Sequence, residues 1–226
     1  MPEERRKARF LLYLITDRRL AVARGGLMAA VAAALAGGAE FESSGTMAVQ
    51  LREKDLEARE LYELAVALRP ICTRFGAPLI VNDRIDVAIA AGADGAHLAS
   101  ASFVIGDARR LLGPSRLIGV STHHPDEVAV AARDGADFAV FGPVYDPLSK
   151  GMYGPAKGLN ALTDAVKAAG GMPLYALGGI NQSRAAEIAT LEPDSRPSGV
   201  AVIGAVFGTT DPGAAVREIL RSLARL

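Results

Sequence analysis

A (β/α)8 barrel is the fold this sequence predicts, on three observations. Eight short runs rich in apolar and β-branched residues alternate with longer, alanine-rich amphipathic stretches from end to end. Several short runs are apolar throughout, as parallel strands covered on both faces should be. A phrase also recurs, Ala91-Gly-Ala-Asp-Gly-Ala96 and Asp134-Gly-Ala-Asp-Phe-Ala139, in which a glycine ends a helix and the next strand follows within a few residues. Eight such units in 226 residues match a small barrel. A doubly wound open sheet is the alternative, because counting units does not show closure.

The predicted strands are Phe10–Thr16, Met47–Arg52, Pro78–Asn82, Gly95–Leu98, Leu117–Thr122, Phe138–Val144, Leu174–Gly178 and Gly199–Ile203. Helical patterns lie between and after them, at Gly26–Ala36, Leu56–Phe75, Ile85–Ala91, Val104–Leu112, Pro125–Arg133, Leu159–Ala168, Ser183–Thr190 and Pro212–Ala224. Asp55, Asp83, Thr122, Asn181 and Asp211 each precede a helical pattern and are the expected caps. The loosest segments, Gly37–Thr46 and Glu192–Ser198, fall on the helix-to-strand side, where loops serve stability. No linker divides the chain. One barrel domain over 10–226 is expected, after a flexible charged leader over 1–9 that carries Glu3, Glu4, Arg5, Arg6, Lys7 and Arg9.

Half the residues are apolar and 22% are charged, which excludes a disordered chain. Formal net charge is zero, which argues against a nucleic-acid or membrane-surface binder. The one cysteine, Cys72, lies among Leu68, Ile71 and Phe75 and reads as a buried helix position; it allows no internal disulfide framework. The longest apolar stretch, Leu27 to Ala39, is shorter than the roughly 20 residues of a spanning helix, and no signal peptide opens the chain. A cytoplasmic protein acting on small molecules is therefore expected, with no nucleic-acid or membrane partner; a homo-oligomer is compatible with the sequence.

In such a barrel, function gathers at the C-terminal ends of the strands. Those ends carry Gln50, Arg52, Glu53 and Lys54; Asn82, Asp83 and Arg84; His97; Ser121, Thr122, His123 and His124; Ser149 and Lys150; Gly178 and Gly179; and Ile203 and Gly204. A spacing of two puts Gln50, Arg52 and Lys54 on one face of an extended segment. Two cations and an amide there suit an anionic group, whose oxygens Arg can grip with two bonds; an ion-pair rim with Glu53 and Asp55 is the structural alternative. Asn82 and Asp83 could cap a helix, or Asp83 could hold a Mg²⁺ that bridges phosphates. Lys150 lies in a loop with Gly151 and Gly154, where a lysine can neutralise a leaving phosphate. Glycines after the seventh and eighth strands, Gly178-Gly179 and Gly204, let backbone N–H groups approach a phosphate. His97 reads either as a substrate donor or as a satisfied core residue. His123 and His124 read as loop or cap residues, since no third metal ligand has suitable spacing. Neither a nucleophile elbow nor a Gly-x-Gly-x-x-Gly after the first strand is present.

Ordered along the chain are Tyr13-Leu-Ile-Thr-Asp17, Val49-Gln-Leu-Arg-Glu-Lys54, Val81-Asn-Asp-Arg84, Gly92-Ala-Asp-Gly-Ala-His-Leu98, Ile118-Gly-Val-Ser-Thr122, Phe141-Gly-Pro-Val-Tyr145 and Ala176-Leu-Gly-Gly-Ile180. From about residue 11 to about residue 208 the chain resembles the thiamine-phosphate synthases and their relatives, the thiazole tautomerases. The resemblance implies a (β/α)8 barrel and a transferase that joins hydroxymethylpyrimidine diphosphate to a thiazole phosphate, releasing diphosphate. It implies that Gln50, Arg52, Lys54, Asn82 and Lys150 hold the pyrimidine diphosphate, with Ser149 beside Lys150 and Asp83 on Mg²⁺. Ser121 would sit near the reacting pyrimidine, and Gly179 with the Ile203-Gly204 turn would receive the thiazole phosphate. The implied chemistry is dissociative, and asks for charge neutralisation and positioning rather than a strong base.

The sequence departs from both branches. Synthases usually carry Gly-Gln-Glu-Asp where this chain has Ala99-Ser-Ala-Ser102, so Ser102 stands at the second carboxylate position, which should weaken Mg²⁺. Synthases also carry Pro-Thr-x-Thr-Lys where Asp146-Pro-Leu-Ser-Lys150 stands here. Leu98–Phe103 is more similar to the tautomerases, yet Pro143 occupies the place of their best-known histidine. Synthase activity is the leading expectation. The alternatives are a tautomerase that uses His97, His123 or His124 as proton carrier, and a non-catalytic binder of thiazole phosphate or thiamine phosphate.

Overall fold

The structure is a computed structural model that describes residues 8–41, 46–100, 102–146 and 154–224. Its elements run β1 Leu12–Ile15, α1 Arg18–Ala21, α2 Leu27–Gly38, β2 Met47–Leu51, α3 Ala58–Arg74, β3 Leu79–Asn82, α4 Ile85–Ala90, β4 Gly95–Leu98 and α5 Ile105–Leu112. They continue with β5 Leu117–Thr122, α6 Pro125–Arg133, β6 Phe138–Phe141, α7 Gly158–Ala168, β7 Leu174–Leu177, α8 Gln182–Ala189, β8 Gly199–Val202, α9 Gly204–Phe207 and α10 Pro212–Leu223. All eight predicted strands are present. The strands close in chain order, and β8 pairs parallel with β1 through Leu12 opposite Val200, which settles the barrel against the open sheet.

Strand alternation divides the interior into two apolar layers. Leu12 and Leu14 of β1 pack outward with the helices, in one layer with Val49, Leu79 and Val81. Tyr13 and Ile15 point inward with Ala48, Ile80, Leu117, Phe138, Val140, Tyr175 and Ala201. Because both faces are covered, the strands carry no exposed polar side, and their apolar runs follow. Cys72 is buried in the helical layer, where burial pushes its thiol up to about 12.

Phe10 differs from its expected place. The strand begins at Leu12, and Phe10 lies below it, its ring stacked on Tyr175 at 4.3 Å and edge-on to Phe138 at 5.4 Å. It plugs the barrel base; residues 1–7 of the expected leader lie outside the described residues, while Ala8 is buried beside the plug.

The recurring phrase is a clamp at that same end. Asp94 accepts from the backbone N–H of Leu79 at 2.8 Å and pairs with Arg69 of α3. Asp137 does the same work one motif later, accepting from Ile118 N–H at 2.7 Å and pairing with Arg109 of α5. Each Asp thus ties the start of a strand to a flanking helix, two elements that sequence separation alone does not join.

Of the expected caps, Asn181 accepts from Arg184 N–H at 3.0 Å and Asp211 from Ala214 N–H at 2.9 Å. The other three are corrected. Glu57, not Asp55, caps α3 in a reciprocal box with Glu60. His124 occupies the cap of α6, and Thr122 donates instead to Val140 O at 3.0 Å. No side chain caps α4. Two four-residue helices in strand-to-helix loops, α1 and α9, were not predicted, being too short for periodicity to reveal. Among the described residues no single helix is long and apolar enough to cross a membrane.

Candidate active site

The C-terminal strand ends form the mouth of the barrel. β2 stops at Leu51, between Gln50 and Arg52. Gln50 is buried inside the barrel, Arg52 is half-buried at the rim, and Lys54 is exposed beyond it. A separate network positions this stretch. Thr16 Oγ1 accepts from Arg52 N–H at 2.9 Å and donates to Glu53 at 2.8 Å. Buried Glu53 also accepts from the backbone N–H of Arg18 at 3.0 Å and pairs with its guanidinium at 3.1 Å. Asp55 pairs with Arg18 at 2.6 Å and Arg19 at 2.8 Å, which holds its carboxyl well below the usual range. The ion pairs of Glu53 and Asp55 at this rim are made with Arg18 and Arg19.

After β3, Asp83 takes a left-handed backbone, φ 63°, which Asp adopts more readily than most residues. Its N–H donates to His97 O at 2.9 Å and its Oδ1 accepts from Ala99 N–H at 3.3 Å, so the carboxyl leans toward the β4 loop rather than capping α4. Asp83, Arg84, Ser102 and Phe103 line a recess of about 410 Å³. Arg84 is engaged with Asp86. One carboxylate and one hydroxyl on such a recess suit a hard cation that completes its shell with water and ligand oxygens. Among the described residues no group of three metal-ligating side chains occurs.

His97 is 2% exposed inside the barrel, and both ring nitrogens have protein partners. Nε2 lies 3.0 Å from Ser121 Oγ and Nδ1 3.4 Å from Tyr13 OH. Burial, then the nearby charge of Arg52, pushes it down to about 3, against an opposing pull from Asp83; the ring is neutral at physiological pH. Of the two readings of His97, the structure shows a buried ring with a protein partner at each nitrogen. Tyr13, an inward residue on β1, had no functional reading in the sequence; a phenol at an interior strand position was the available signal.

His123 donates from Nδ1 to Gly142 O at 2.6 Å, and its backbone N–H donates to Glu127 at 2.6 Å, tying the ends of β5 and β6 together. His124 is exposed. Gly178 and Gly179 turn with φ 102° and 63°. A Cβ on Gly179 would lie 2.6 Å from Asp146 O and 2.6 Å from an Arg184 nitrogen, so only glycine fits. Arg184 also donates to Gly179 O at 2.5 Å and lies over the Tyr145 ring at 4.7 Å. Gly204 opens α9 beside Ile203, whose carbonyl accepts from Val206 N–H and Phe207 N–H at 3.1 Å each. Ser149 and Lys150 lie outside the described residues.

Thus Ser121 and Asp83 both bond to His97, while two glycine turns lie on the opposite strands. A family model described as thiamine monophosphate synthase matches residues 12–206. The chain belongs to the thiamine monophosphate synthase family. A relative from Geobacter sulfurreducens is 46% identical over 217 residues, covering 96% of each protein. A thiamine-phosphate synthase from Roseiflexus castenholzii is 42% identical over 211 residues, 93% of this chain and 87% of the relative. Among solved structures, thiamine phosphate pyrophosphorylase from Pyrococcus furiosus superposes with a TM-score of 0.80 at 32% identity, covering 96% of each chain. A 3-hexulose-6-phosphate synthase, 18% identical with a TM-score of 0.60, shares the fold alone.

Proposed function

We propose that this barrel is a thiamine-phosphate synthase, a transferase that joins hydroxymethylpyrimidine diphosphate to a thiazole phosphate in thiamine biosynthesis. The observation that carries the reading is the His97–Ser121 pair at the strand ends, with Asp83 N–H bonded to His97 O and Arg52 half-buried after β2. In the reaction, the bond from the pyrimidine methylene to the diphosphate oxygen breaks with its electron pair going to diphosphate. The thiazole nitrogen then donates its lone pair to the methylene carbon. No proton has to be abstracted, so the protein's work is to hold, neutralise and align.

Arg52 grips the diphosphate with a planar pair of donors, and Gln50, Lys54 and Asn82 complete that side, with Ser149 and Lys150 from the β6 loop. Asp83, with the Ser102 hydroxyl on the same recess, would hold Mg²⁺. A bound Mg²⁺ adds charge neutralisation at the phosphate oxygens of the leaving group. Backbone N–H groups of Gly179 and of the Ile203-Gly204 turn, beside Gly178, receive the thiazole phosphate. A cytoplasmic site of action and small phosphorylated substrates belong to the same proposal. The test is an assay of the purified protein with both substrates and Mg²⁺, following thiamine phosphate and diphosphate together. Equal amounts of the two products support the synthase. Bound thiazole phosphate without either product overturns it.

A further inference from the structure

A histidine in the middle of an apolar barrel is costly unless its nitrogens are satisfied, and a phenylalanine of similar size would fill the space without that cost. His97 is packed against Tyr13 and Phe138, each with ring centroids 5.8 Å away. Room for the ring is made at Gly119. A Cβ there would lie 2.7 Å from His97 Nδ1 and 2.2 Å from the Phe138 ring, so any side chain would displace the imidazole. The polar ring is thus both enclosed and accommodated by a missing side chain on the next strand.

The proton positions follow from the partners. Burial pushes the Tyr13 phenol well above its ordinary range, so it keeps its proton. Its hydroxyl lies within reach of a ring nitrogen of His97, and a phenol that keeps its proton meets such a nitrogen as the donor. The phenol proton is then directed at His97 Nδ1, across the longer of the two ring contacts. A neutral imidazole that accepts at Nδ1 carries its hydrogen on Nε2. That hydrogen faces Ser121 Oγ at 3.0 Å. Ser121 accepts there and retains its own O–H.

We propose that His97 is a positioning residue for the synthase reaction: its Nε2–H holds Ser121 so that the serine hydroxyl donates into the pocket, to an acceptor atom of the pyrimidine substrate. Tyr13 holds the ring from behind. Hydrogen bonds in such a chain polarise one another, so Ser121 is a better donor than an isolated serine. The role rests on the synthase reading for its substrate, but the direction of the chain belongs to the protein alone.

The test uses the full chain with the two phosphorylated substrates. His97→Phe keeps the ring and removes the donor, while His97→Gln restores an N–H near the place of Nε2. His97→Phe and Ser121→Ala should each lower kcat by about 30- to 100-fold, with KM for the pyrimidine diphosphate within about 3-fold. The double variant should lose no more than either single variant, and His97→Gln should recover most of kcat. Nitrogen-15 spectra of the unmodified protein should show Nε2 protonated and Nδ1 bare. Losses that multiply in the double variant, an unchanged kcat in His97→Phe, or the opposite tautomer overturns the proposal. If His97→Phe does not fold, the spectrum of the unmodified protein still decides the proton's place, and Gly119→Ala displaces the ring independently. Absence of turnover in the unmodified protein would count against the synthase reading, whereas a wrong tautomer would count against the relay.

Discussion

The two ends of the barrel solve different problems. At the base, Phe10 seals the interior and Asp94 and Asp137 repeat one device, each joining a strand start to a helix arginine. At the mouth nothing repeats: Arg52, Asp83, His97 and Ser121 each come from a different strand end and meet once. Repetition suits a structural task, because every strand start has the same donor to satisfy. Function needs unlike groups around one ligand, so a repeated device has no use there. The acids show the same contrast. Asp94 and Asp137 accept from backbone amides and pair with cations, whereas Asp83 adopts a left-handed backbone and leans over a recess.

The sharpest way to break this division is at the mouth. Arg52→Ala and Lys150→Ala should each reduce synthase turnover by about 10²- to 10³-fold or more, through loss of charge-assisted contacts to the diphosphate. Circular dichroism should show an intact fold and thermal melting a nearly unchanged midpoint. Undiminished turnover in both would sink the site assignment. At the base the expected effect is smaller and lies elsewhere. Asp137→Ala leaves Ile118 N–H and part-buried Arg109 without their partner, costing about 2–4 kcal/mol. That corresponds to a midpoint lower by roughly 5–12 °C in a chain of this size, with kcat and KM at 25 °C retained. Lost activity at an unshifted midpoint would show that the base also serves the chemistry.

The effect confined to the narrowest conditions, high pH, concerns the helical layer near the base. The Cys72 thiol is raised by burial, then by the charge of Asp94, against the opposing charge of Arg69, from an ordinary 9.0 to about 12. The unfolded thiol ionises first as pH rises, so its contribution to stability is full below pH 9 and is lost between about 9 and 12. Denaturant titrations should show the unmodified protein losing stability faster than Cys72→Ala over that interval. Equal slopes would place the thiol nearer to water than its burial implies.

The fold was legible because a parallel barrel covers both faces of each strand, and its apolar runs, helix lengths and capping residues such as Asn181 and Asp211 are written locally. Much of the mouth could be read in the same way, since strand ends are where a barrel keeps its polar groups. What failed was the extension of local periodicity past an element. Lys54 stands exposed beyond the end of β2 at Leu51, apart from buried Gln50. Asp55 and Thr122 do not cap, because distant partners compete for them: Arg18 takes the first and Val140 O the second.

By itself, then, the sequence determined the strand–helix order, the inward and outward faces and the kinds of group available at each strand end. Tertiary structure alone decided that β8 closes on β1, that Phe10 is a plug rather than strand, and that Tyr13, His97 and Ser121 stand in one line. Tyr13 and His97 are 84 residues apart, and no periodicity relates positions so distant. Only the register of a closed barrel brings them across its interior, and hydrogen bonding there is short-ranged enough that register decides which groups act together.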